Sequence, residues 1–241
     1  MPTPIVVRHA DRRLAGIAGP GEPWAAAAER IGLAAAYALD LSGEVKEFSR
    51  DPMPLVALRP MVRGDLPLVT RWRQADHVRE WFDPAEEPTL ESVTARYGPR
   101  IDGDEPTTMW VGEANGRSVG LVQDYRVGDH EGLAQVAPVD PDAVGVDYLI
   151  GERAWTGRGI ATRMLWVWLG TVVARYPSAP VAFAAPDHRN GASLRLLTKL
   201  GFEEGAWFDE PQRDGSVATL VACTLDLNRV VGRVVGGSTP R

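Results

Sequence analysis

A single cysteine, Cys223, leaves no partner for an intrachain disulfide and excludes a cysteine-built metal site. It sits in the apolar run 220–223, where a buried structural thiol is expected rather than a nucleophile. Histidines are few, at 9, 77, 130 and 188, and none stands three or four residues from another, so no metal is expected. No stretch approaches the ~20 uninterrupted apolar residues of a membrane span. The first residues, Met1-Pro2-Thr3-Pro4 and then Arg8, Asp11, Arg12 and Arg13, hold no apolar segment ahead of a cleavage site. A cytoplasmic protein without a membrane partner is the expectation. Positive charge is also short: 26 Lys and Arg against 32 Asp and Glu give a net charge of −6, which argues against a nucleic-acid partner and mildly favours a cationic one.

What is present fits one generous globular domain, or one domain with an extension, since 44% of the 241 residues are apolar. Residues 1–54 read as an N-terminal extension with one Ala-rich helix over 23–40, started by Pro23 and striped by Trp24, Ala28, Ile31, Ala35 and Leu39. Asp51-Pro52-Met53-Pro54 marks a boundary, residues 55–229 form the main domain, and 230–241 are expected to be a flexible tail. In the main domain a strand at 55–59 precedes a helix over 65–82 capped by Asp65 and a second capped by Thr89. Asn115-Gly116 turns a hairpin between strands 109–114 and 118–125. An irregular acidic loop over 128–144 leads to a strand at 145–150, a helix over 159–175, a strand at 181–185 and a helix over 190–201. Two last strands, 202–209 and 216–225, join through Asp214-Gly215. The order β-α-α-β-β-β-α-β-α-β-β predicts an α/β (α+β) fold: a central mixed, twisted sheet flanked by helices, with an N-terminal helical extension. Trp72 and Trp168 fall at helical spacing to other apolar residues and are read as core.

Trp155-Thr156-Gly157-Arg158-Gly159-Ile160-Ala161-Thr162 lies between a strand and a long amphipathic helix. Small residues at 157, 159 and 161 let the backbone approach a ligand, and the first N–H groups of the helix form an anion nest suited to a pyrophosphate. The segment is not the first βα unit of a doubly wound sheet and lacks the Lys-Ser/Thr of a nucleotide loop.

With these residues the chain resembles the GNAT superfamily of N-acetyltransferases, whose acetyl-CoA loop is written Arg/Gln-x-x-Gly-x-Gly/Ala. Gly159 and Ala161 match and Thr156 replaces the first residue. Asn190, followed by Lys199-Leu200-Gly201-Phe202, matches a second block of that superfamily. Within it, Val78-Arg79-Glu80-Trp81-Phe82, the strand from Val119 to Tyr125, Gly145-Val146-Asp147 and Asp214-Gly215 make the chain similar to aminoglycoside 6′-N-acetyltransferases. Siderophore-pathway acyltransferases of the same architecture carry His where this chain has Asp147.

The resemblance implies an acetyl-CoA-dependent N-acetyltransferase acting on the 6′-amine of a polycationic aminoglycoside, as a monomer or homodimer. Asp147 is the candidate catalytic base or orienting carboxylate; its ordinary pKa of ~3.9 makes it a poor base unless it is desolvated or relayed. Leu149, Ile150, Arg158, Gly159, Ile160, Ala161, Thr162 and Asn190 are the candidates for holding acetyl-CoA. Arg158 and Arg189 are the first choices for its phosphates, and Arg195 or Lys199 are further ones. Trp81, Phe82, Asp124, Tyr125, Asp129 and Asp214 supply the carboxylates and aromatic faces that ammonium groups and sugar rings require. Where the aminoglycoside enzymes place a tyrosine as proton donor to the departing thiolate, this chain has Leu197, with Tyr148 and Tyr125 as alternative hydroxyls. Two other readings remain open: acylation of a different amine (a siderophore precursor, a polyamine or a protein amine), and an acyl-CoA-binding sensor without turnover.

Overall fold

The computed structural model describes residues 3–9, 12–18, 23, 26, 45–50, 54–82, 87–212 and 215–227. The chain divides into two compact units, Met1–Leu55 with Asp226–Arg241, and Val56–Leu225. In the first, strands β1 (Thr3–His9), β2 (Arg12–Ala18) and β3 (Val45–Arg50) form an antiparallel sheet in the order β2-β1-β3. The sequence reading did not anticipate it, because these strands are short and arginine-interrupted and β3 joins β1 from far along the chain. The expected helix over 23–40 lies outside the described residues apart from Pro23 and Ala26, and the tail from 230 lies outside them entirely.

The second unit is built on a seven-stranded sheet of β4 (Val56–Pro60), β5 (Thr107–Ala114), β6 (Arg117–Arg126), β7 (Val144–Ile150), β8 (Val181–Ala184), β9 (Glu203–Pro211) and β10 (Val217–Asp226), in the order β4-β5-β6-β7-β8-β10-β9. β4 with β5, β5 with β6, β6 with β7 and β9 with β10 pair antiparallel, and β7 with β8 pair parallel, so the sheet is mixed as expected. Asn115 (φ 51°) and Gly116 (φ 74°) both lie in the left-handed region, the geometry a tight β5–β6 hairpin demands.

Strand alternation assigns the two faces. Met109, Val111, Leu121 and Leu149 share one core with Trp72 of α1 (Leu66–Gln74), Val78 of α2 (Asp76–Arg79) and Val93 and Tyr97 of α3 (Leu90–Asp102). After the short α4 (Glu131–Val136), which occupies the loop expected to be irregular, come α5 (Ile160–Arg175) and α6 (Gly191–Lys199). Trp168 of α5 meets Asp124 on the other face, and both Trp72 and Trp168 are fully buried. The helix expected over 65–82 is two pieces, broken at Ala75, whose ψ of 131° is extended. Asp65 does not cap it: its carboxylate is taken by Arg59 at 2.7 Å and by the Val62 N–H at 2.9 Å. Thr89 does cap α3, accepting from the Ser92 N–H at 3.1 Å.

One irregularity of the sheet matters most. β7 and β8 pair only at Val144 with Ala182 and Gly145 with Phe183. Beyond Ala184 the chain follows β10 instead, with the Val221 N–H donating to Pro186 O at 2.9 Å and the His188 N–H to Thr219 O at 3.1 Å. Among the described residues the rest of β7 therefore has no strand on that side, and alternate N–H and C=O groups of its second half face a notch in the sheet.

Candidate active site

Asp147 stands on β7 beside this notch. Its register partner on β6 is Gln123, whose Nε2 donates to Asp147 Oδ2 at 2.7 Å, while Arg100 of α3 donates to Gln123 Oε1 at 2.9 Å. The arginine fixes which way the amide points, and the amide fixes the carboxylate. Tyr125, two residues along on the same face, also holds Asp147 through its hydroxyl. Its ring fits because position 145 is glycine: a Cβ there would come within 2.4 Å of Tyr125 Cε2. Burial pushes the Asp147 carboxyl above the ordinary carboxylate range, against the opposing pull of Gln123 and Arg100. A carboxylate so desolvated is a better proton acceptor than a free aspartate.

Asp147 opens into a cleft of about 480 Å³ walled by Trp81, Phe82, Tyr97 and Tyr125. Of the sequence-expected acceptor contacts, Trp81, Phe82 and Tyr125 thus come together around Asp147. Asp124 does not. Successive side chains of a strand point to opposite faces, so it lies behind the sheet, fully buried, accepting from Trp110 Nε1 at 2.8 Å, Trp168 Nε1 at 3.0 Å, Tyr176 Oη at 2.7 Å and the Arg175 guanidinium. It is a structural hub without capacity for a substrate. Asp129 is likewise absent from the cleft wall; it sits in a separate groove, paired with Arg126 at 3.2 Å. Asp214 lies outside the described residues.

A second cleft, of about 370 Å³, runs along the end of β7 and the start of α5. Leu149, Ile150, Gly159, Ile160, Ala161, Thr162 and Asn190 all line it. Gly157 (φ 69°) and Gly159 (φ 74°) take the left-handed conformation that brings the turn round into the helix, and Gly159 is the N-cap of α5. The first N–H groups of α5 have no partners within their own helix and, with the macrodipole, favour an anion. These features fit a pyrophosphate there, with Arg195 and Lys199 of α6 in the same cleft as the nearby cations. Arg158 does not line it, its guanidinium lying 5.7 Å over the Trp155 ring, and Arg189 is bound to Asp187 at 2.8 Å on the wall of the other cleft.

The two clefts share Trp81, Phe82, Tyr148, Asn190 and Ser193, and they meet at the notch between β7 and β8. Asn190 Oδ1 accepts from the Ser193 N–H at 3.0 Å and starts α6, which sets the Ser193 hydroxyl against that of Tyr148. Leu197, one turn further along α6, is fully buried. Glu210 of β9 is a wall residue that sequence reasoning missed; burial and the nearby Asp147 both raise its carboxyl pKa. Its signal was hidden because β9 is an otherwise exposed strand. Gln123 was in view only as part of a strand. Cys223 is buried, as expected. Among the described residues, no group of three or more His, Cys, Asp or Glu lies close enough to hold a metal ion, and no helix is long and apolar enough to cross a membrane.

The family model of the acetyltransferase (GNAT) domain matches residues 62–210. The aminoglycoside N(6′)-acetyltransferases type 1 of Klebsiella pneumoniae and Serratia marcescens are each 28% identical over 168 residues, which cover 69% of this chain and 82% of theirs. The lysine N-acyltransferase MbtK of a Mycobacterium species is 25% identical over 166 residues, covering 67% of this chain and 66% of its own. Among solved structures, aminoglycoside acetyltransferase AAC(6′)-Ib with coenzyme A superposes at a TM-score of 0.63, with 24% identity, over 74% of this chain and 98% of that one. Its complex with ribostamycin and coenzyme A gives the same score over 76% and 99%.

Proposed function

Because the chain belongs to the GNAT acetyltransferase family, we propose that it transfers the acetyl group of acetyl-CoA to the 6′-amine of an aminoglycoside. The observation that carries this reading is Asp147: a desolvated, oriented carboxylate in an aromatic-walled cleft that opens onto the cleft at the start of α5. The 6′ position comes from the names of the relatives at 28% identity.

In this reading the α5 N-terminus receives the pyrophosphate, Arg195 and Lys199 neutralise outer phosphate, and the free edge of β7 offers the backbone of Tyr148 and the Ile150 N–H to the amide-bearing arm of acetyl-CoA, with the Leu149 and Ile150 side of the strand lining the same cleft. The thioester then lies at the notch. Asp147 holds the incoming ammonium, takes its proton and leaves the lone pair free to attack the carbonyl carbon. Gln123 and Arg100 keep the receiving oxygen oriented, and Trp81, Phe82 and Tyr125 offer faces to sugar rings and ammonium groups.

Release of free CoA thiol from acetyl-CoA is the test, with a 6′-amino aminoglycoside such as kanamycin set against its 6′-hydroxy analogue. Fast release with the first and none with the second is expected. Equal rates, or no release with either, would defeat the reading. The similarity to a lysine N-acyltransferase makes lysine the amine to assay beside them.

A further inference from the structure

Acyl transfer from a thioester needs a proton at the departing sulfur as well as a base for the attacking nitrogen, and Asp147 can serve only the nitrogen. The sulfur must sit where the acceptor cleft meets the cleft at the start of α5. Five residues line both: Trp81, Phe82, Tyr148, Asn190 and Ser193. Only Tyr148 and Ser193 among them carry hydroxyl protons, and the two hydroxyls are hydrogen-bonded to each other. The Asn190 carboxamide oxygen is occupied in capping α6. Tyr125 is committed to Asp147 on the opposite face of the sheet, and Leu197 presents only carbon to a sealed core.

We propose that Tyr148, backed by Ser193, is the proton donor to the thiolate. The inference rests on the acyl-transfer reading above and adds its missing acid. Neighbouring positions of β7 point to opposite faces, so Asp147 reaches the notch from the α3 side and Tyr148 from the α6 side, one on each flank of the scissile bond. The amine lone pair forms the C–N bond and its proton passes to Asp147. The C–S bond breaks with its electron pair on sulfur, the Tyr148 Oη proton moves to that sulfur, and Ser193 hands Tyr148 a replacement drawn from solvent. Burial pushes the Tyr148 phenol upward and keeps it protonated in the resting site, while the hydrogen bond with Ser193 pulls it back down and so eases release of the proton to sulfur.

The test reads the donor side without an acceptor: the thiol of CoA bound to the full-length protein is titrated by its thiolate ultraviolet absorbance, in wild type and in Tyr148→Phe. A phenol donating to the thiolate lowers the bound thiol's pKa, so Tyr148→Phe should raise it by ~1 unit, with CoA affinity kept and kcat from acetyl-CoA down by ~10²-fold. Ser193→Ala should shift the titration in the same direction by less, and it carries the test alone if Tyr148→Phe no longer binds CoA. An identical bound-thiol pKa in wild type and variant overturns the assignment while leaving the acyl-transfer reading intact. Failure of the wild-type protein to bind CoA overturns both. The expected titration shift without acetylation of any amine tried supports Tyr148 and sinks the acceptor assignment instead.

Discussion

Asp124 and Asp147 sit on adjacent strands, one register step apart, and occupy opposite worlds. Asp124 faces α5, fully buried and saturated by Trp110, Trp168, Arg175 and Tyr176. Asp147 faces the α1–α3 side, held by Gln123 and Tyr125 and turned into an open cleft. Both were read from the sequence as carboxylates for a polycationic acceptor. A single step of strand alternation made one of them a structural counter-ion and left the other on the wall of a cleft. Asp124 is wholly enclosed, whereas Asp147 is half-buried, desolvated enough to raise its pKa yet open to the cleft. The difference is that Asp124 meets a full complement of donors, including a guanidinium, whereas Asp147 has fewer donors and faces an open cleft.

Removing each carboxylate should therefore break different properties. Asp124→Ala leaves Arg175 partly buried without its partner and two indole N–H groups unsatisfied, so a loss of ~3–5 kcal/mol is expected. A thermal melt checks it, and an unchanged Tm would remove the hub from the account. Asp147→Asn should lower kcat by ~10²-fold, which is ~2.7 kcal/mol of barrier, with the fold intact.

The same carboxyl sets a pH dependence whose sign follows from its raised pKa. The folded state keeps the proton longer than the unfolded chain, so stability falls as pH rises from the unfolded value of ~3.9 through the folded one. At neutral pH the charged group is thus a burden on the fold, and Asp147→Asn should melt no lower than wild type. The acid limb of the wild-type kcat/KM profile should lie above the ordinary carboxylate range and disappear in the variant. A limb that survives Asp147→Asn would reassign it to another group.

Leu197→Tyr sharpens the comparison between a buried position and an open one. The side chain is fully enclosed, so a phenol there overpacks the core at ~1–3 kcal/mol and should lower Tm without raising turnover. The smallest effect belongs to Glu210. As a further carboxylate on the Asp147 cleft wall, it gives a polyamine another partner, and Glu210→Gln should raise the KM of a polycationic acceptor by about fivefold, ~1 kcal/mol. kcat should hold, and a monoamine should notice nothing.

Much of the second unit was legible in the sequence because its signals are local. Thr89 caps, Asn115-Gly116 turns, and the glycines before Ile160 bend the chain in ways fixed by a few consecutive residues. The elements that went wrong depend on distant partners: Asp65 is drawn from its capping role by Arg59, and the helix over 65–82 breaks at Ala75. In the first unit, β1 takes its second partner, β3, from across a long intervening segment, which no local pattern could announce.

By itself the sequence determined most of the element order of the second unit, its mixed sheet and the glycine turn ahead of α5, because propensity, periodicity and motif spacing act over short stretches of chain, and the family resemblance made Asp147 a candidate. Only the tertiary structure decided which carboxylate faces the cleft, that Glu210 and Gln123 join Asp147, and that Tyr148 meets Ser193 where β7 and β8 part. Those outcomes rest on strand register and on where two strands stop pairing, and both are set by contacts between residues far apart in the chain.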